Sequence, residues 1–137
     1  METGLQEAIA VARTSYQRAA LAPDFFAAFY DHLFEVRPDT RQLFAQTEFE
    51  RQHKLLRHAI GLLLSFPEQQ DGEPTILSRI AERHGRGDLA IDPSLYPPFL
   101  ECLLDTIKRC DPEFTPAVEQ AWRTTLAKGF AYMQSRY

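Results

Sequence analysis

An all-α domain of about seven helices is the fold class the sequence predicts, and two observations carry that expectation. Apolar residues recur at three- and four-residue spacing through most of the 137-residue chain, the period of helices that each bury one face. The nine prolines fall between those periodic runs or at their starts, where a fixed φ and a missing N–H suit a loop or a first helical turn. No alternation of apolar and polar residues bounded by turn residues argues for a strand.

The first helix is expected over about Thr3–Ala19, with Leu5, Ile9, Ala12 and Tyr16 on one side. The second opens at Pro23–Asp24 and carries Phe25, Phe26, Phe29, Tyr30, Leu33 and Phe34, an aromatic density suited to a wide, flat packing partner. A short third helix follows Pro38–Asp39 and includes Leu43 and Phe44. The fourth, about Glu48–Phe66, sets Gln52, Leu55, Leu56, Ala59, Ile60 and Leu63 on one face and stops at Pro67. After the polar stretch EQQDGE, a fifth helix runs from near Pro74–Thr75 to His84–Gly85, with Gly85 and Gly87 as C-terminal caps. The sixth begins at Asp92–Pro93 and carries Phe99, Leu100, Leu103, Leu104 and Ile107. The seventh has Thr115 as N-cap and Pro116 at its first position, then Val118, Trp122, Leu126, Phe130 and Met133.

Composition narrows the function classes. A single domain over residues 1–137 can bury roughly two-thirds of its unfolded surface without staples. Hydrophobic residues at 45 % and charged residues at 25 % are globular values, and the net charge of −4 is mild. Basic residues are interspersed with acidic ones, so no nucleic-acid footprint is present. The longest apolar run, Ala59–Phe66, is far too short to span a bilayer, and METGLQEA lacks a basic leader and an apolar signal core. A cytoplasmic protein with no membrane partner is therefore expected. Cys102 and Cys110 stand eight residues apart on one predicted helix, too far for a bridge, and read as packing residues.

The chemistry centres on His84. Leu77, Ile80 and Ala81 lie seven, four and three residues before it, so a core-facing stripe ends on an imidazole. Two readings stay open on these residues alone: a core imidazole satisfied by backbone carbonyls, or a ligand to a metal or haem iron. A metal held by protein alone would need companion ligands, and the inner face of this helix offers none, while His32, His53 and His58 form no ligand motif with it. Haem needs only one protein ligand to its iron.

FYDHLF (Phe29–Phe34), RPDTRQLF (Arg37–Phe44), RQHKLLRHAI (Arg51–Ile60), RIAERH (Arg79–His84), DPSLYPPFLECLLDTI (Asp92–Ile107) and FTPAVEQAWRTTLA (Phe114–Ala127) occur in an order and spacing that together are specific. In these the chain resembles the globin family, and within it the bacterial single-domain globins and the haem domain of flavohaemoglobins. The resemblance implies a globin fold enclosing one haem, with His84 as the proximal ligand to iron and Phe44 stacked on the porphyrin. It places Tyr30, Gln52 and Leu56 in the distal pocket, where Tyr30 and Gln52 would hold a ligand oxygen of partial negative charge by charge-assisted hydrogen bonds. Periodicity agrees that Tyr30 lies on an otherwise apolar face and that Gln52 shares a face with Leu56. His53 competes as a distal iron ligand, but that register would also turn Arg57 inward, whereas the Gln52 register puts Lys54, Arg57 and His58 toward water.

Tyr96 matches a tyrosine that, in flavohaemoglobins, joins a glutamate in a network on the proximal histidine. The connection HGRGDLAIDPSLY is about two residues longer than in that pattern, and the glutamate position falls near Tyr137, without a carboxylate. The cofactor expected is a noncovalent haem b (Fe-protoporphyrin IX), since no CxxCH attachment motif occurs. The expected partners are O2, NO and other diatomic gases. Nitric oxide dioxygenase activity and gas sensing are the alternatives, and turnover would call for an external reductase because no flavin or nicotinamide sequence is present.

Overall fold

The computed structural model describes residues 2–44, 48–68 and 93–135. Among the described residues all regular structure is helical: α1 (Glu2–Ala19), α2 (Phe25–Val36), a 3-10 helix (Pro38–Phe44), α3 (Phe49–Ser65), 3-10 turns at Phe66–Glu68 and Pro93–Leu95, α4 (Tyr96–Cys110) and α5 (Pro116–Ser135). These correspond to the expected helices except the fifth, which lies outside the described residues together with Leu77, Ile80, Ala81 and His84. Among the described residues no helix is long and apolar enough to cross a membrane.

Local chemistry sets the ends. The Val118 N–H donates to Thr115 Oγ1 at 3.2 Å, so the expected N-cap satisfies one orphan donor of α5, and Pro116 has no N–H to orphan. α2 closes where the Arg37 N–H bonds Leu33 O at 2.8 Å, one residue before Pro38. The next segment winds as a 3-10 helix. Arg37 forks onto Asp39 at 3.0 and 2.8 Å, and Thr40 Oγ1 donates to Arg37 O at 2.6 Å, tightening the turn. The sixth expected helix begins as a 3-10 turn, with α geometry only from Tyr96, because Pro97 and Pro98 are tolerated in a first helical turn.

α1 packs most extensively along α5 and α2 along α4, while α3 lies against α5, α1 and α2. Trp122, Phe25, Phe29, Ile60, Leu103, Ile107 and Leu126 are fully buried at the centre, each contributing roughly 1.5–3 kcal/mol over an exposed position. Gly129 lets α3 and α5 approach, since a Cβ there would stand 2.7 Å from Leu63 Cδ2. Cys102 is buried and Cys110 half-buried, both free, and both pack with the core. One sequence expectation fails: Leu55 is 55 % exposed. It stands about 100° round the helix from Leu56, past the edge of the stripe formed by Leu56, Ile60, Leu63 and Leu64.

A buried polar cluster joins α1, α5 and the α4–α5 turn. Trp122 Nε1 donates to Ser15 Oγ at 2.9 Å, and Ser15 Oγ donates to Asp111 Oδ2 at 2.6 Å. Arg18 adds two bonds to the same carboxylate at 2.6 and 3.0 Å, and the Glu113 N–H donates to Asp111 Oδ1 at 2.9 Å. Burial works to raise the Asp111 pKa, but these hydrogen bonds outweigh it and hold the carboxyl below the usual range.

Candidate functional site

Tyr30 sits near the middle of α2, on the same buried stripe as Phe26, Leu33 and Phe34. Only 3 % of it is exposed. Gln52, in the first turn of α3, donates from Nε2 to Tyr30 Oη at 2.9 Å, and Leu56, one turn on, is buried beside the same interface. Tyr30 and Leu56 are buried and Gln52 is half-buried, and Tyr30 and Gln52 are in direct contact. Burial pushes the Tyr30 phenol up to about 12, with the Gln52 bond pulling the other way. At neutral pH the hydroxyl keeps its proton. Its oxygen accepts from Gln52, and among the described residues nothing accepts the proton in return.

Five rings surround the phenol. Phe29, Phe34, Phe44, Phe49 and His53 have centroids 5.1, 6.1, 5.3, 5.7 and 5.8 Å from that of Tyr30. Phe44, at the end of the 3-10 helix, meets Tyr30 edge-on at 67° and Phe34 at 5.8 Å. A second file of rings runs from Phe29 to Phe99 at 4.9 Å, to Phe130 at 5.9 Å and to Tyr96 at 5.9 Å. Tyr96 is thus buried at the start of α4, where burial raises its phenol pKa.

Lys54, Arg57 and His58 are exposed, as the Gln52 register requires. His53 is half-buried, and its ring stacks on Tyr30 and on Phe26. Periodicity weighs against His53 as an iron ligand and leaves its packing open. In the fold α3 leans on α2 as well as on the core, so neighbours about 100° apart both find partners. The missed signal was the His53/Arg57 pair at i, i+4: the Arg57 guanidinium lies 5.1 Å from the Phe26 centroid, on that same side. Phe49, also not singled out from sequence, packs on Tyr30, Phe34 and Phe44. His32 is a boundary residue, its Nε2 3.0 Å from Asp105 Oδ2. Among the described residues no three His, Cys, Asp or Glu side chains are grouped to hold a metal ion.

Chemically, these side chains offer a phenol donor, a carboxamide and broad apolar ring surface. They suit an extended aromatic macrocycle presenting a small hydrogen-bond acceptor.

Comparison with known proteins agrees. The family model for Globin matches residues 27–133. A crystal structure of protein PA3967 from Pseudomonas aeruginosa PAO1, described as structurally highly homologous to a human hemoglobin, superposes with a TM-score of 0.89 at 30 % sequence identity, covering 95 % of this chain and 98 % of that one. No curated protein sequence matches. With its helical architecture and most of its length matched, the chain belongs to the globin family, which implies haem as its cofactor.

Proposed function

We propose that this globin holds a noncovalent haem b through His84 and binds O2 and other diatomic gases beside Tyr30 and Gln52, as one domain over residues 1–137 in the cytoplasm. The observation that carries the reading is the buried phenol that accepts from Gln52 at 2.9 Å while, among the described residues, nothing accepts its own proton. A buried donor left without an acceptor costs about 1–3 kcal/mol. A ligand atom that accepts that proton recovers the cost.

When bound, the haem supplies the iron at which a diatomic gas coordinates. The chain's side chains bind, orient and exclude water. Tyr30 would donate a hydrogen bond to the gas, and Gln52 holds the phenol oxygen with one amide hydrogen and would offer its second to the same ligand. Leu56 supplies apolar wall on α3, and Phe44 supplies a ring for the macrocycle to pack on. Leu77, Ile80 and Ala81 form the apolar stripe leading to His84, and Tyr96 completes the set of cofactor contacts.

Purified protein should show an intense Soret band. His84→Ala should abolish stable haem uptake, and unchanged uptake would sink the proximal assignment. Replacing Tyr30 by Phe should speed O2 release roughly ten- to a hundredfold, the worth of a hydrogen bond to a partly charged acceptor. A low-spin ferric spectrum of the bis-histidine type would instead make His53 a ligand. To separate a dioxygenase from a carrier, the oxygenated protein is mixed with NO with a reductase supplied. Repeated nitrate formation supports the enzyme, and a single turnover the carrier.

A further inference from the structure

We propose that His53 is a positioning residue for the gas-binding phenol, its imidazole set parallel to and offset from the Tyr30 ring so that the Tyr30 proton points one way. The inference rests on the gas-binding reading above and assigns to His53 a role distinct from ligating iron.

Among the five rings around Tyr30, Phe29, Phe44 and Phe49 meet it at 67–73° and Phe34 at 32°. His53 alone among them lies nearly parallel, at 14° with centroids 5.8 Å apart. The same imidazole stacks on Phe26 at 27° and 6.3 Å. Phe26 and Tyr30 are successive turns of one stripe of α2, so His53 spans both, with Phe49, one turn earlier on α3, tilted against it at 6.2 Å.

This matters because a phenol O–H prefers the plane of its ring, where the oxygen lone pair conjugates. The ring torsion of tyrosine is broad and soft, so a parallel, offset neighbour restrains that plane. Edge-on rings limit where the phenol sits but do little to stop it turning. Gln52 donates to the oxygen at 2.9 Å, and a phenol oxygen accepts best near its ring plane. With the plane held by His53, the proton is left the opposite in-plane direction, so one donor geometry is prepared before any gas arrives.

The test uses the haem-loaded protein and four variants, read by the O2 dissociation rate and by the C–O stretching band of the carbon monoxide complex, which reports the hydrogen bond donated to the gas. Tyr30→Phe sets the full effect. His53→Ala should speed O2 release roughly three- to tenfold, the worth of one aromatic stack, and should move the C–O band partway toward that of Tyr30→Phe. His53→Phe keeps the flat ring and should restore both readouts. His53→Leu keeps bulk without the ring and should behave like His53→Ala, so it decides the matter if the alanine variant does not load haem. If His53→Ala and His53→Leu match wild type while Tyr30→Phe shifts both readouts, the positioning role falls and the gas-binding reading stands. If Tyr30→Phe itself shifts neither, both fall. A His53→Phe variant as fast as His53→Ala would overturn the stacking role and leave the imidazole's own chemistry as the cause.

Discussion

Ser15, Asp111 and Trp122 form one buried polar cluster in this molecule, and Tyr30 with Gln52 forms another. In the first, every strong group is used. The Ser15 hydroxyl accepts from the indole N–H and donates to the carboxylate, and Asp111 takes further bonds from Arg18 and from the Glu113 N–H. In the second, the phenol accepts one bond, and among the described residues nothing accepts its proton. Both lie in a low-dielectric interior where an unmade hydrogen bond is costly. A closed network serves the fold, whereas on the reading proposed above an open one beside a wide aromatic surface serves a ligand the polypeptide does not supply.

The largest effect should come from opening the closed cluster. Asp111→Ala leaves Arg18, Ser15 and the Glu113 N–H without their common acceptor and is expected to cost about 3 kcal/mol, toward the lower end for a broken buried pair because Arg18 is partly exposed. Urea denaturation of the haem-loaded protein measures it. The pH dependence follows in sign. The folded-state pKa of Asp111 is lowered, so its contribution is complete above the ordinary carboxylate pKa and is lost as pH falls through the folded value. Stability should therefore decline below about pH 4, and in Asp111→Asn that acid limb should flatten. An equally steep limb in the variant would assign the decline to other carboxylates.

Trp122→Phe removes the indole N–H and some ring volume, and about 2 kcal/mol of destabilisation is expected. O2 release should not change. Tyr30→Phe should do the reverse: global stability within about 1 kcal/mol of wild type, because the hydroxyl contributes little net bonding to the fold, together with the large kinetic effect. If Trp122→Phe altered gas release as strongly as Tyr30→Phe, the division between a structural and a functional cluster would collapse.

The two clusters also differ in how much of each the sequence revealed. The Tyr30 cluster was largely legible because its members sit on helices whose apolar stripes define an inside: a tyrosine among Phe26, Phe29 and Phe34, and a glutamine one turn before Leu56, stand out against the period. The Ser15 cluster left no such trace. Ser15 and Asp111 are 96 residues apart and Ser15 and Trp122 are 107, and a lone serine in a helix or an aspartate in a Cys-Asp-Pro turn is an ordinary surface residue until the α1–α5 packing brings them together. His53 shows the intermediate case: the period sets Lys54, Arg57 and His58 outward, as found, but does not reveal that His53 packs on α2. Leu55 is the opposite error, an apolar residue credited to a stripe whose edge it overshoots.

The smallest effect tests whether an idle buried hydroxyl is by itself a mark of function. Thr125, on α5, is fully buried, and its Oγ1 has no hydrogen-bond partner among the described residues. Thr106, on α4, shows the usual remedy, donating to Cys102 O four residues back at 2.8 Å. Tyr30 differs from Thr125 in having Gln52 bound to it, a second polar group brought from another helix to the same point. If that convergence is what distinguishes the site, Thr125 carries only a cost. Valine matches threonine in shape and in its branched Cβ, so Thr125→Val removes the hydroxyl with little change in packing or helix propensity. It should stabilise the protein by about 1 kcal/mol, seen as a higher urea midpoint at unchanged slope, and leave O2 release alone. Destabilisation would mean that the Thr125 hydroxyl is engaged after all. Faster O2 release would mean that it acts on the gas site from α5, and the functional cluster would then extend beyond Tyr30 and Gln52.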